Sequence, residues 1–182
     1  MQNEFFIAGF GGQGVLFAGQ LLSYAALGEG KETTWIPSYG PEMRGGTANC
    51  TVVISDEEIG SPMVRNPQAL VAMNQPSLDK YESSVRPGGV LVINSSIIKR
   101  SSTRTDVRVV EIPANEIAES LGDKRMTNMV MLGGLLANLP VLPISSIEKA
   151  LEDHLPARHK RLLPMNSEAL KKGASYLAEP VK

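Results

Sequence analysis

The sequence predicts a Rossmann-like α/β fold, with a doubly wound, mainly parallel sheet and helices on both faces. Two observations carry this prediction. Strand-like and helix-like segments alternate along the chain, and a glycine-rich turn joins the first strand to the first helix. The strand candidates are short runs rich in apolar and β-branched residues, which is typical of buried strands: 5–8, 33–36, 51–54, 69–73, 90–93 and 107–112.

The first half of the chain alternates most clearly. Apolar residues recur at helical spacing over residues 15–27, and Gly28 ends that pattern. The strand at 33–36 is expected to end at Pro37, because proline lacks an amide donor. A proline in the first turn and acidic residues on the outer face predict a short helix over residues 76–85.

The second half is mostly helical after one alternating strand, which is expected at an edge of the sheet. A helix is predicted over residues 114–121, and three later helices are expected to begin with a capping side chain: 129–139 after Asn128, 146–154 at Ser146, and 167–177 at Ser167. Gly133 and Gly134 interrupt an apolar helix, where glycine costs about 1 kcal/mol relative to alanine. This pair predicts the close approach of another backbone, from the sheet or from a second subunit.

Size and composition limit the classes of function. The 182 residues suffice for one α/β domain over residues 1–182, and 18 basic against 19 acidic side chains argue against a nucleic-acid partner. No apolar run is long enough for a membrane span. The lone cysteine, Cys50, offers neither a disulfide nor a metal-binding set, so no metal site is expected. Without a secretory signal pattern, the chain is expected to be cytoplasmic.

The glycine-rich turn is the first candidate site. Residues 9–14 fit the pattern G-x-G-x-x-G between a strand and a helix, and Gly11, Gly12, Gln13 and Gly14 are its candidate ligand-binding residues. Such a turn leaves helix N–H groups free for a phosphate or a carboxylate. The alternative, equally weighted, is that the glycines serve only a tight turn. An acidic residue that would bind a ribose is missing at the end of the second strand, which argues against NAD or FAD.

A second loop, over residues 38–47, is unusually dense in glycine, proline and charge. Because it follows the second strand, it is expected at the same edge of the sheet as the first loop. Tyr39 supplies an aromatic face, while Glu42 and Arg44 either contact a ligand or partner or pair with each other in solvent. Asn74 follows another strand and either joins this edge or turns the chain before the next helix.

These segments together resemble the gamma subunit of the 2-oxoacid:ferredoxin oxidoreductases. The resemblance covers most of the chain and rests on these motifs: Gly-Gly-Gln-Gly-Val at 11–15, Ser-Tyr-Gly-Pro-Glu-Met-Arg-Gly-Gly at 38–46, Asn-Gln at 74–75, the turn at 87–89, and Asn128 with Leu132-Gly133. It implies a complex that oxidatively decarboxylates a 2-oxoacid, either 2-oxoglutarate, a branched-chain oxoacid or pyruvate, to an acyl-CoA and CO₂.

The resemblance also implies cofactors and partners. The complex is expected to use thiamine diphosphate, iron–sulfur clusters and coenzyme A, and to reduce ferredoxin. Because the sequence offers no cluster ligands, this chain is expected to be a noncatalytic subunit, firmly binding none of these cofactors and assembling with alpha, beta and ferredoxin-like delta subunits. The resemblance also leaves open a contact between two copies of this chain. The alternative function is a stand-alone Rossmann-type protein that binds a nucleotide or coenzyme A.

Overall fold

The computed structural model describes residues 1–40 and 46–177, whose six strands form one mixed sheet. The strands lie in the order β2-β3-β1-β4-β5-β6. Their bounds are β1 Gln2–Phe10, β2 Glu32–Tyr39, β3 Thr47–Ser55, β4 Ala69–Ala72, β5 Val90–Asn94 and β6 Arg108–Ile112. The predicted edge position of the last strand is confirmed.

The strands of the sheet do not all run in the same direction. β1, β4, β5 and β6 pair in parallel, whereas β3 runs antiparallel to both β1 and β2. The mainly parallel sheet is therefore confirmed, with one reversed strand. β2 and β3 form a hairpin, and this hairpin places β3 beside β1.

The helices cover the two faces of the sheet unequally. Their bounds are α1 Val15–Gly28, α2 Gln75–Tyr81, α3 Ala114–Ser120, α4 Thr127–Asn138, α5 Ile144–His154 and α6 Leu163–Ala174. The larger core cluster joins one face to buried residues of α1, α3, α4, α5 and α6. The smaller cluster, on the other face, is closed by α2, by Val85 directly after the 3₁₀ turn Glu82–Ser84, and by the loop that precedes β6.

The second strand continues past Pro37, so the predicted end at that proline is wrong. Pro37 pairs with Cys50 of β3 on one side, and β2 is an edge strand of the sheet. Proline is tolerated on an edge strand because the missing N–H removes no bond to a second neighbour.

The three predicted N-caps of the later helices are also wrong. α4, α5 and α6 begin two to four residues earlier than expected, and the residues before them provide no side-chain cap. Ser146 instead donates a hydrogen bond to the Glu29 carboxylate at 2.5 Å, and Ser167 donates to the Glu148 carboxylate. These hydroxyls tie α5 to α1 and α6 to α5, respectively, because tertiary partners outcompete the local helix end.

α4 and α6 cross at two facing glycines. A Cβ atom built on Gly133 would lie 2.0 Å from the Leu170 carbonyl oxygen, and one on Gly173 would lie 1.8 Å from the Val130 carbonyl oxygen. The predicted close backbone approach at Gly133 is confirmed, but its predicted source is wrong: the approaching backbone belongs to α6, not to the sheet or a second subunit.

Among the described helices, none is both long and apolar enough to cross a membrane.

Candidate functional site

The glycine loop connects the end of β1 to the start of α1 in a conformation that requires glycine. Gly12 has φ +103° and Gly14 has φ +73°, in the left-handed region that side chains with a Cβ rarely adopt. A Cβ on Gly12 would meet no atom within 4 Å, so the backbone there is open to approach.

The start of α1 presents unpaired donors. The first bond of the helix runs from the Ala18 N–H to the Gly14 carbonyl, and the N-cap Gly14 has no side chain to satisfy the first turn. The amides of Val15, Leu16 and Phe17 therefore lack intrahelical partners, as at every helix start. Together with the helix dipole, they favour an anionic group.

Gln13 holds the loop in place from inside. Its Oε1 accepts from the Phe10 amide at 2.7 Å, and its Nε2 donates to the Met73 carbonyl at 3.2 Å. The side chain thus links the end of β1 to the end of β4. We find Gln13, predicted as a binding residue, engaged in positioning the backbone that surrounds it.

The two glycine-bearing loops meet, as predicted. The Gly11 amide donates to the Gly46 carbonyl at 2.9 Å, and the Gly40 amide donates to the Thr47 carbonyl at 2.8 Å. Tyr39 lies beside this junction with 56% of its surface exposed. Glu42 and Arg44 lie outside the described residues, so their predicted roles stay predictions.

Asn74 lies at the same edge of the sheet, where β4 ends. Its Oδ1 accepts from the Ser77 amide at 2.9 Å and caps α2, and the residue is only 2% exposed. The side-chain oxygen of Asn74 therefore has the turn-forming role that was one of the two predicted for this residue. Its Nδ2 has no hydrogen-bond partner among the described residues.

Asn128 positions the glycine loop, a role that the sequence analysis did not assign to it. It was expected to cap α4, yet it lies inside that helix, 6% exposed, and its Nδ2 donates to the Gly14 carbonyl at 3.2 Å. Through this hydrogen bond, α4 supports the glycine loop. The available signal was one polar residue near the start of an apolar helical run.

An open pocket of about 350 Å³ lies between the two loops. Its described lining is uncharged and largely apolar apart from backbone amides: Phe10, Gly11, Gly12, Gly14, Val15, Leu16, Phe17, Tyr39, Thr47 and Ala48. This volume is at the lower end of the range for small-molecule sites. The arrangement suits one anionic group at the helix start beside an apolar or aromatic group.

The strand order explains why the glycine fingerprint lacks its acidic partner. In a dinucleotide-binding fold, the second parallel strand lies next to the first and places an acid near the ribose. Here β3 takes that place and runs the opposite way, so the end of β2 at Tyr39 is two strands from the end of β1. The geometry does not reproduce the ribose-binding half of such a site.

The described residues offer neither a metal-binding cluster nor an exposed thiol. Within 1–40 and 46–177, no three His, Cys, Asp or Glu side chains cluster so as to hold a metal ion. Cys50 is 1% exposed beneath α1, and burial raises the pKa of its thiol to about 12. Because the thiol stays protonated at neutral pH, it is a poor nucleophile and a poor metal ligand.

We therefore expect Cys50 to resist thiol reagents in the native chain. At pH 8, reaction with Ellman's reagent should be at least about a hundredfold slower in buffer than in guanidinium chloride, where burial is lost. The single cysteine makes the released chromophore specific to this thiol, and Cys50→Ser provides the blank. A native rate close to that of the unfolded chain would contradict the buried position.

Comparisons with known proteins agree with this geometry. Residues 4–176 match the family model of pyruvate ferredoxin/flavodoxin oxidoreductase. Ketoisovalerate oxidoreductase subunit VorA of Methanothermobacter thermautotrophicus is 44% identical over 97% of this chain, which covers 36% of VorA. The chain thus spans about a third of that relative's length. 2-Oxoglutarate synthase subunit KorC of Methanocaldococcus jannaschii is 39% identical over 86% of this chain and 85% of KorC.

A solved structure shares the whole fold. The gamma subunit of the keto/oxoacid ferredoxin oxidoreductase from Geobacter sulfurreducens superposes with a TM-score of 0.84 at 28% identity, covering 96% of this chain and 95% of that one. The predicted resemblance is confirmed, and the stand-alone nucleotide-binding alternative is not supported. Because the family model matches nearly the full length of this chain, the chain belongs to the pyruvate ferredoxin/flavodoxin oxidoreductase family.

Proposed function

We propose that this chain is the gamma subunit, or the equivalent gamma domain, of a 2-oxoacid:ferredoxin oxidoreductase. The observation that carries the proposal is the joined pair of glycine loops, held by the bond between Gly11 and Gly46 at one edge of the sheet. Tyr39 is exposed at that edge, and residues 1–40 and 46–177 contain no cluster of His, Cys, Asp or Glu that could hold a metal ion.

The assembled enzyme would convert a 2-oxoacid and coenzyme A to an acyl-CoA and CO₂, with two electrons passing to ferredoxin. Thiamine diphosphate and iron–sulfur clusters supply this chemistry in such complexes. Neither fits the described residues here, because Cys50 is a single buried thiol and no group of His, Cys, Asp or Glu side chains within those ranges could hold a metal ion. We therefore assign both cofactors to partner subunits of the alpha, beta and ferredoxin-like delta kinds.

We infer the substrate of the complex from the relatives of this chain rather than from its own residues. The similarity to VorA and KorC favours a branched-chain oxoacid or 2-oxoglutarate over pyruvate. The group that accepts the oxoacid would lie on the thiamine-bearing subunit, so the pocket between the glycine loops is assigned no part in binding the oxoacid.

This chain's own contribution is contact and positioning. We assign the amides of Gly12, Val15 and Leu16 to a phosphate of coenzyme A, since helix starts favour anions. Tyr39 and Phe17 would pack against an uncharged part of the same molecule. Glu42 and Arg44 are assigned to the partner subunit or to a second phosphate, where a guanidinium forms two parallel hydrogen bonds.

Affinity purification of the tagged chain from its native cells tests the proposal. We expect thiamine- and cluster-containing polypeptides to co-purify with it, and the complex to reduce ferredoxin when given a 2-oxoacid and coenzyme A. The isolated chain should show no turnover. Purification as a single species without such partners, or turnover of an oxoacid by the chain alone, would contradict the assignment.

Replacement of Arg44 tests the second loop within that complex. We expect Arg44→Ala to lower ferredoxin reduction by at least about tenfold. In the proposed complex the change would leave the anionic partner of the guanidinium unpaired, at a cost of about 2–5 kcal/mol, where about 1.4 kcal/mol corresponds to a factor of ten. Arg65→Ala is the matched control, since Arg65 is exposed in the connection between β3 and β4 at the other end of the sheet. Equal activity of both variants would remove Arg44 from the site.

A further inference from the structure

Half of one face of the sheet carries no helix among the described residues. α1 packs against β2 and β3 from the face of the larger core, while α2 packs against β1 and β4 on the opposite face. The outward side chains of β2 and β3, with the neighbouring one of β1, are left beside α2. We call the part of this surface nearest the hairpin end the open face: Thr34, Ile36, Ser38, Asn49, Thr51 and Phe6. The buried Val53 and the acids Glu4 and Glu32 lie on the same side of the sheet towards its opposite end.

Strand register arranges the open face as rows across three strands. Ile36 pairs with Thr51, which pairs with Phe6, so these three side chains stand side by side. Phe6 packs edge-on against Tyr81, with ring centroids 5.4 Å apart, and closes the row on the α2 side. Ile36 is 39% exposed at the other end of the row.

The chemistry of the open face differs from that of an ordinary solvated surface. None of its six residues is ionisable, and the two acids on the same side of the sheet, Glu4 and Glu32, lie beyond it, away from the hairpin end. Depletion of charge at the centre of a patch distinguishes protein interfaces from the rest of a surface. Neither an anionic ligand nor a nucleic acid is suited to a surface without basic side chains.

The open face is continuous with the two glycine loops. Ser38 and Asn49, which pair with each other, form the row of the open face nearest the hairpin end, and Tyr39 and Gly40 follow directly in the chain. A partner seated on the loops would therefore meet the open face without a gap. In VorA, this domain accounts for about a third of a longer polypeptide, so protein of the same enzyme is available to cover it.

From these observations we infer that the open face is a docking surface for the polypeptide corresponding to the remaining two-thirds of VorA. This inference rests on the proposed function and adds a second contact to the glycine loops. Docking would bury the Ile36–Thr51–Phe6 row against uncharged side chains of the partner. A second copy pairing through the β2 edge is disfavoured because Pro37 lacks the amide that such a ladder needs.

The test places a charge at the exposed end of the row. Ile36→Lys is exposed in the free chain and should leave its melting temperature within about 2 °C, since surface changes rarely exceed 0.5 kcal/mol. In the complex, the lysine would be buried without a partner. We expect at least about a tenfold loss of co-purified partner polypeptide. Leu27→Lys is the matched control, because Leu27 is 56% exposed at the far end of α1.

Capture from native cells and gel filtration of the purified chain separate the outcomes. If the unaltered chain captures no partner, the proposed function fails. If the unaltered chain and Ile36→Lys capture equal amounts, the docking surface is wrong while the function stands. If the unaltered chain alone is a dimer that Ile36→Lys converts to a monomer, the occupant is a second copy and our assignment is overturned. Loss with Ile36→Lys but not with Leu27→Lys supports the inference.

Discussion

Replacing Gly133 by alanine is expected to destabilise the chain by about 3 kcal/mol, the upper part of the range for overpacking. The added Cβ would stand 2.0 Å from the Leu170 carbonyl oxygen, and a backbone atom cannot rotate away as a side chain can. Gly173→Ala meets the Val130 carbonyl in the same manner from the other helix. Either change forces α4 and α6 apart and opens the core between them.

Thermal unfolding measures this effect. For a chain of this length, a loss of 3 kcal/mol lowers the melting temperature by about 6–12 °C. Gly28→Ala is the matched control: it also lies in a helix, yet its Cβ would meet no atom within 4 Å. There alanine should stabilise by about 0.5–1 kcal/mol, through helix propensity alone. The same sign of change at Gly133 and Gly28 would refute the crossing of α4 on α6.

The elements of the fold could be predicted because their signals are local. Short apolar runs and helical spacing identified all six strands and the main helices. The reversed direction of β3 could not be predicted, since a strand's own residues do not record its neighbours. The ends of α4, α5 and α6 were misplaced for a related reason. Ser146 bonds to a carboxylate on another helix rather than to its own first turn.

The residues of the candidate site also separate into those with a local sequence signal and those whose contacts depend on tertiary packing. Gly11, Gly12 and Gly14 are recognisable because a strand–turn–helix junction needs glycine at such positions. Asn128 lies 114 residues from Gly14 in sequence, and only tertiary packing brings it beneath the loop. Gln13 was found as a motif residue, but its two bonds to Phe10 and Met73 depend on the adjacency of β1 and β4.

The contact between Gly14 and Asn128 yields the second large prediction. A Cβ on Gly14 would lie 2.4 Å from Asn128 Nδ2, and Gly14 also has φ +73°. Bulk at this position would be expected to force α1 away from β1; the structure instead places the conflict with Asn128 of α4. Gly14→Ala should cost about 3 kcal/mol, from 1–2 kcal/mol for the left-handed backbone plus the steric conflict. Gly14→Val should also lose assembly with partners.

Gly12→Ala separates the two contributions. Gly12 has φ +103° but open space around it, so alanine there should cost only the backbone share, about 1–2 kcal/mol. Combining Gly14→Ala with Asn128→Ala removes the conflicting amide, and urea unfolding of both single variants and the pair gives their coupling. We expect the double variant to be more stable than the sum of the single losses by about 1–2 kcal/mol. Strict additivity would mean that α4 does not support the glycine loop, and the loop's position would then depend on Gln13 alone.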